Sequence, residues 1–371
     1  MTRHSKYSRP KKYSPSAAKA KKKIVAKAIR PVSRPKVKAT AVPVMTFDPS
    51  KSVGMPLPPD PMALAHWCGV KTKTLWYYIL NRPAFYKIHT IPKPKGGVRV
   101  LHEPHAPLKF VQRMLLDRVL SKFPAQEHVG AYEDSKGVKY TADRHAGHAV
   151  VIEMDIKDFF GSTTRKFVRE FFKAQGWPMS SAHAAADVLT FPITPTKSVV
   201  PQGAPTSPQI CNMVGDHRFD KTILKELALV DAGWKYTRYS DNLIISHPDK
   251  RERDEVRKVV DTVKGIVSRA GYRVHPKKLK VMYSTHPKKP QRLLGLTVND
   301  MPNVPVEEYR RLRAQVHRAE TKGLKEVTGI PKGVGTLAHI EGRLQYYLHI
   351  NPTSQKLLRL KDRVKELRGV A

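Results

Sequence analysis

The stretch Lys235 to Ser246, KYTRYSDNLIIS, constrains the fold more than any other part of the chain. Aromatic and β-branched residues precede Ser240-Asp241-Asn242 and Leu243-Ile244-Ile245 follows, so two short strands meet at a polar tip, the pattern of a hairpin. Taken alone, an Asp on a turn is ordinary, because Asp and Asn bond their own backbone there. A second acidic strand end changes its meaning. Ala149 to Ile156, AVVIEMDI, reads as a buried strand closing on Asp155, and a charge beside such an apolar run is costly unless solvated, paired or bound to metal. If the two strands are neighbours, Asp155 and Asp241 can hold two Mg²⁺ ions about 4 Å apart, the spacing that clamps attacking and leaving oxygens in phosphoryl displacement. Magnesium needs only one or two carboxylates beside substrate phosphates and water. The chemistry indicated is nucleotidyl transfer.

Charge agrees with a polyanionic partner. The 371 residues include 68 Lys and Arg against 31 acids, a net charge of +37, and phosphate neutralisation with counterion release drives association of such a chain with nucleic acid. Residues 1–40 hold 14 of those basic groups and no acid, which leaves an excess of 23 on the rest. The basicity therefore belongs to the body as well as the terminus. Residues 1–45, rich in Lys, Arg, Pro, Ser and Ala, bury too little apolar surface to offset ordering entropy and read as a disordered basic arm. Two cysteines, Cys68 and Cys211, exclude a disulfide framework, and no Cys/His cluster has zinc spacing. No run of about 18 apolar residues predicts a membrane span. A cytoplasmic, reducing location is expected.

In chain order, two short helices are expected from Met62 around Gly69, followed by a basic hairpin over Phe85 to Pro104 that turns at Pro94-Lys95-Gly96-Gly97. A helix follows from Leu108. Helical stretches over Lys166 to Gln175 and Ser181 to Leu189 lead to Pro201-Gln202-Gly203-Ala204-Pro205-Thr206-Ser207-Pro208, a loop opening a helix through Met213. Glycine there lets backbone or ligand approach closely. Val256, Val259, Val260, Val263, Ile266 and Val267 share one helical face, closed by Gly271. Lys277, Lys278 and Lys280 follow, Leu293 to Val298 reads as a strand, and helices are expected from Pro305 and over Leu337 to Leu367.

In that order the motifs resemble those of a bacterial reverse transcriptase of the retron type, from about Phe85 to the C-terminus. IPKPKGGVR resembles the fingers motif, MDIKDFF motif A, PQGAPTSP motif B, YSDN motif C and LLGLTVN the strand before the thumb. Five in order are far more specific than any one. The resemblance implies an α+β right-hand polymerase: fingers and a palm of antiparallel sheet packed on helices over 46–300, and a short helical thumb over 301–371. It further implies that Asp155, Asp241 and the Ile156 carbonyl bind Mg²⁺, with Mn²⁺ as an alternative. Phe160, beside Phe159, would exclude a ribose 2′-hydroxyl, Gln202 and Gly203 would line the nucleotide pocket, and Lys93 or Lys95 with Arg99 would hold the triphosphate. Lys278 would protonate pyrophosphate, with Lys277 and Lys280 as competitors.

Three departures stand out. Thr141-Ala142-Asp143-Arg144-His145 resembles the Asn-Ala-x-x-His element of retron enzymes with Thr for Asn, and Leu293-Leu294-Gly295 replaces Val-Thr-Gly. Asn242 stands where the family has a second Asp, which removes one negative charge while keeping an oxygen of similar reach. The implied partners are an RNA template, a cognate structured noncoding RNA among the candidates, dNTPs, the DNA product and an effector protein in phage defence, with no membrane. Two rivals share the shape: an inactive RNA-binding scaffold, and a stand-alone defence reverse transcriptase without a retron.

Overall fold

Apolar and largely β-branched runs, Val150-Val151-Ile152 and Leu243-Ile244-Ile245, make the central strands, and the sheet follows from them. The computed structural model describes residues 60–93, 96–123, 126–285, 289–331 and 333–370, all within one compact unit, Asp48–Ala371. The expected basic arm, residues 46–59 and Lys95 lie outside the described residues.

Helices α1 (Pro61–Trp67) and α2 (Thr72–Leu80) precede the hairpin of β1 (Tyr86–Pro92) and β2 (Val98–Pro104). Its register is uninterrupted from Tyr86 opposite Pro104 to Pro92 opposite Val98. Helix α3 (Ala106–Arg118) and the short α4 (Val138–Asp143) lead to β3 (Val150–Asp155). There follow α5 (Phe159–Ser162), α6 (Arg165–Ala174), α7 (Met179–Leu189), the small hairpin β4 (Phe191–Thr194) and β5 (Lys197–Val199), and α8 (Ser207–Gly215). A π-helical turn at Asp216–Asp220 joins α8 to α9 (Lys221–Val230), and β6 (Lys235–Tyr239) and β7 (Asn242–His247) form the anticipated hairpin. Helix α10 (Arg253–Arg269), β8 (Lys280–Tyr283), β9 (Arg292–Leu293), β10 (Leu296–Thr297) and helices α11 (Val306–Lys322), α12 (Thr336–Ile350) and α13 (Gln355–Val370) complete the order.

The central sheet has the order β6-β7-β3-β8, every neighbouring pair antiparallel. All six residues of β3 are buried, because both its faces are covered. Residues paired across antiparallel strands point to the same side, which separates the faces. Ile152, Met154, Leu243 and Ile245 enter the main core with α6, α7, α8 and α10. Val151 and Ile244 face a smaller core with Leu293, Leu296, Val298 and Ile350. Asp155 and Asn242, in register with each other, lie on this second face.

Helix α10 buries all six residues of the predicted valine and isoleucine face and ends at Gly271 with φ +87. The last three helices share their own core around Leu312, Val316, Ile340, Leu344 and Leu360. Two expectations change. Leu293 to Val298 is a miniature hairpin, turned at Leu294 and Gly295 with φ +50 and +87. Positive φ at both positions is the signature of a type I′ turn, which the apolar run concealed. The helical region over Leu337 to Leu367 divides into α12 and α13, since Pro352 cannot continue a helix.

Candidate active site

The two strand-end aspartates come together. Asn242 opens β7 directly opposite Asp155, and Asp241 precedes it in a two-residue turn between Tyr239 and Asn242. Ser240, first in that turn, has φ +58, whereas side chains seldom tolerate positive φ and the surroundings must enforce it. The Ile156 amide donates to the Asp241 carbonyl at 2.7 Å, and the His275 amide donates to the Asp155 carbonyl at 2.7 Å. Backbone bonds thus lock the Asp155 strand end to the Asp241 turn on one side and to the lysine-bearing segment on the other.

Asp155 is 7 % exposed. Lys278 Nζ donates to its Oδ2 at 2.6 Å. Lys280, two residues on, pairs with Glu153 Oε2 at 2.6 Å, so Lys278 is the lysine brought to the aspartates. Burial pushes the Asp241 carboxyl above its ordinary value, the charge of Asp155 adds to this, and Lys278 and Arg99 pull it down. That places Arg99, exposed on β2, within electrostatic reach of the turn. Two neighbouring, partly desolvated carboxylates with hard oxygen donors fit a divalent cation such as Mg²⁺.

Lys93 sits exposed beside the hairpin tip, its amide donating to the Gly97 carbonyl at 3.0 Å. The Gln202-Gly203 loop packs on that same hairpin. The His102 amide donates to the Gln202 carbonyl at 2.6 Å. Gly203 has φ +116, and a Cβ there would lie 3.0 Å from the His102 carbonyl oxygen. The glycine is required by the approach of β2. Phe159 is 3 % exposed and belongs to the main core, with Phe219 and Tyr272 around its ring. Phe160 is half-buried beside it, ring centroids 6.1 Å apart.

Among the described residues one further group could ligate a metal: His128, Asp216 and Asp220. It lies beneath the sheet, where Arg238 already pairs with Asp220 at 2.8 Å. Burial alone would lower the His128 pKa, but the Asp216 and Asp220 carboxylates, 3.1 and 3.5 Å from its Nε2, outweigh burial and raise it to about 9. A protonated imidazole between two carboxylates has no lone pair to offer, and its charge with that of Arg238 balances the acids. The group is an ion network.

Sequence reasoning did not single out Arg238, Glu153, Tyr132 or Asn212. Arg238 was detectable in principle as a charge inside a strand, among the Tyr and Thr residues that follow Lys235. Tyr132, whose Oη lies 3.2 Å from Ser240 Oγ, and Asn212 are distant in sequence and gave no signal. His145 of the Thr-Ala-Asp-Arg-His element is buried against the sheet, between Ser246 Oγ at 2.6 Å and Thr237 Oγ1 at 2.7 Å.

A paired-aspartate edge on an antiparallel sheet, met by a basic hairpin, defines a nucleotidyl-transfer polymerase with an α+β fold. Residues 91–298, more than half the chain, match the family described as "Reverse transcriptase (RNA-dependent DNA polymerase)", and the chain belongs to it. It is an RNA-directed DNA polymerase of the retron type. It is 32 % identical over 307 residues to the retron Mx65 reverse transcriptase of Myxococcus xanthus, covering 78 % of this chain and 68 % of that one. It is 30 % identical to the retron Mx162 reverse transcriptase of the same organism, covering 75 % of this chain and 63 % of that one, a little under two thirds. To the retron Ec86 reverse transcriptase of Escherichia coli it is 24 % identical, covering 83 % and 90 %. No helix among the described residues is long and apolar enough to cross a membrane.

Proposed function

We propose that this polymerase extends a primer hydroxyl on a structured noncoding RNA template, yielding the DNA of a retron, and that its natural site, Asn242 included, is active. The observation that carries this reading is Asp155 and Asp241 at one sheet edge with Lys278 on the Asp155 carboxylate. Two Mg²⁺ ions, or Mn²⁺ in their place, would be held by Asp155, Asp241 and the Ile156 carbonyl, and would supply the charge that stabilises the attacking and leaving oxygens. The remaining work is positioning and charge neutralisation by the protein. Arg99 with Lys93 or Lys95 holds the triphosphate, Gln202 and Gly203 form the pocket floor against β2, and Phe160 excludes a ribose 2′-hydroxyl. The hydroxyl oxygen bonds the α-phosphorus as the bond from that phosphorus to pyrophosphate breaks; the hydroxyl's proton passes to water, and the Lys278 ammonium gives a proton to the departing pyrophosphate.

Fingers and palm then occupy residues 46–300 and a thumb residues 301–371, with α11, α12 and α13 closing on product. The names of the relatives support a retron setting and nothing finer; priming from a 2′-hydroxyl of the same RNA, and phage defence with an effector protein, are part of the proposal.

The test is primer extension by purified protein with RNA template, DNA primer, dNTPs and Mg²⁺ or Mn²⁺. Extension that falls by about 10²- to 10³-fold in Asp155→Asn and in Asp241→Asn is expected, given what one electrostatic stabiliser contributes. Extension by Asn242→Asp but none by the natural chain would overturn the active-site reading. Tight RNA binding and a cellular phenotype, both indifferent to Asp155→Asn and Asp241→Asn, would favour the scaffold.

A further inference from the structure

Arg238 is the largest of the fully buried side chains among the described residues. Burying a guanidinium is costly unless it is paired and fully hydrogen-bonded, and its place on β6 tells what that cost secures. Its Nε donates to Asp220 Oδ2 at 2.9 Å and Nη2 pairs with the same carboxylate at 2.8 Å. Nη2 also donates to the Asn212 carbonyl at 2.9 Å, and Nη1 to Asn212 Oδ1 at 3.0 Å. Nη1 donates again to the carbonyl oxygen of Ser240 at 3.2 Å. That oxygen belongs to the peptide plane joining Ser240 to Asp241. A donor on it restrains the rotation that aims Asp241.

The turn needs such a restraint, because Ser240 sits at φ +58 and unfavourable backbone persists only where neighbours over-determine it. Asn212 lies on α8, the helix that follows the Gln202-Gly203 loop, and its Nδ2 donates to the Ala131 carbonyl at 2.8 Å. Gly215, one turn later on the same helix, lets the guanidinium lie against it, since a Cβ there would be 3.1 Å from Arg238 Nη2. One rigid plane thus touches the nucleotide-side helix and the catalytic turn together. A lysine would pair with Asp220 but cannot span both, being a point charge without the planar fork.

We propose that Arg238 is a positioning residue for catalysis: clamped by Asp220 and Asn212, its guanidinium fixes the Ser240-Asp241 peptide and so the direction in which Asp241 presents its carboxylate to a divalent cation. The inference rests on the reading of Asp241 as a metal ligand.

The test uses the full chain with Arg238→Lys and Asn212→Ala, and as a control Gln112→Leu, a buried polar residue bonded to Tyr86 Oη and the Val188 carbonyl. Mn²⁺ affinity is measured by electron paramagnetic resonance, with kcat, dNTP KM and melting temperature alongside. Arg238→Lys is expected to bind Mn²⁺ about 10-fold more weakly and to lose about 10- to 100-fold in kcat, the range seen when a ligand's supporting partner is removed, with dNTP KM within about 2-fold. Asn212→Ala moves the same way by less, and raised Mn²⁺ restores part of both. Gln112→Leu lowers the melting temperature and leaves Mn²⁺ affinity unchanged. Natural Mn²⁺ affinity and kcat in folded Arg238→Lys, or in Asn212→Ala should Arg238→Lys not fold, overturns the proposal, as does an equal loss of affinity in Gln112→Leu. A natural chain that binds Mn²⁺ without extending any primer defeats the catalytic reading instead, and the Mn²⁺ comparison still decides the role of Arg238.

Discussion

Gly203 shows how one residue can serve a site by what it lacks. Its φ of +116 and the 3.0 Å from a hypothetical Cβ to the His102 carbonyl oxygen make any side chain there strained unless β2 gives way. Gly203→Ala is therefore expected to cost about 1–3 kcal/mol in local strain, the price of holding a side chain in that region. Relief comes by pulling Gln202 off β2, so urea denaturation should register the loss while steady-state kinetics show dNTP KM rising several-fold. An unchanged KM in a destabilised Gly203→Ala would detach the loop from the nucleotide pocket. Asn242 belongs to the same scale. It stands in register with Asp155, and its amide keeps an oxygen at that place while sparing the site a third negative charge beside two carboxylates that already repel.

At the scale of elements, the palm sheet depends on an ion network under β6. His128 meets Asp216 Oδ1 at 3.1 Å and Asp220 Oδ2 at 3.5 Å, with Arg238 on Asp220 and Lys221 on Asp216 completing the charges that face it. Its folded pKa of about 9 exceeds its ordinary 6.5. A pKa raised on folding adds stability that is complete below the unfolded value and lost as pH rises through the folded one. Melting temperature should therefore fall between pH 6.5 and 9 more steeply in the natural chain than in His128→Gln; parallel curves would exclude the protonated imidazole. Elements of this kind divide by how they are encoded. The Tyr239 to Asn242 turn, β3 and the valine face of α10 were legible because each pattern is local, with a period of two or of 3.6. The pairing of β3 with β7 was posed by the sequence only as a condition, and the bond from Arg238 to Ser240 was not legible, since Asp220 and Asn212 make sense of it only once folded. The Leu293 to Val298 run misled because an apolar run does not reveal a turn inside it, and Gly295 was the overlooked signal.

For the whole molecule, the net charge of +37 sets how the enzyme meets its template. We propose that residues 1–45 contribute RNA binding of their own, in addition to that of the rest of the chain. The two contributions separate by salt, because each phosphate contact neutralised by Lys or Arg on a single strand lowers the slope of log K against log salt by about 0.7. A chain starting at residue 46 should bind RNA with a visibly shallower slope than the full chain, yet extend a saturating, pre-annealed primer at the same kcat, since Asp155, Asp241 and Lys278 all lie in the body. The body keeps an excess of 23 positive charges beyond residue 40, so its slope stays well below zero. Equal slopes would make the arm a solvated charge run. A fall in kcat at saturation would give it a part in the chemistry, which neither its composition nor its distance in sequence from the motifs predicts.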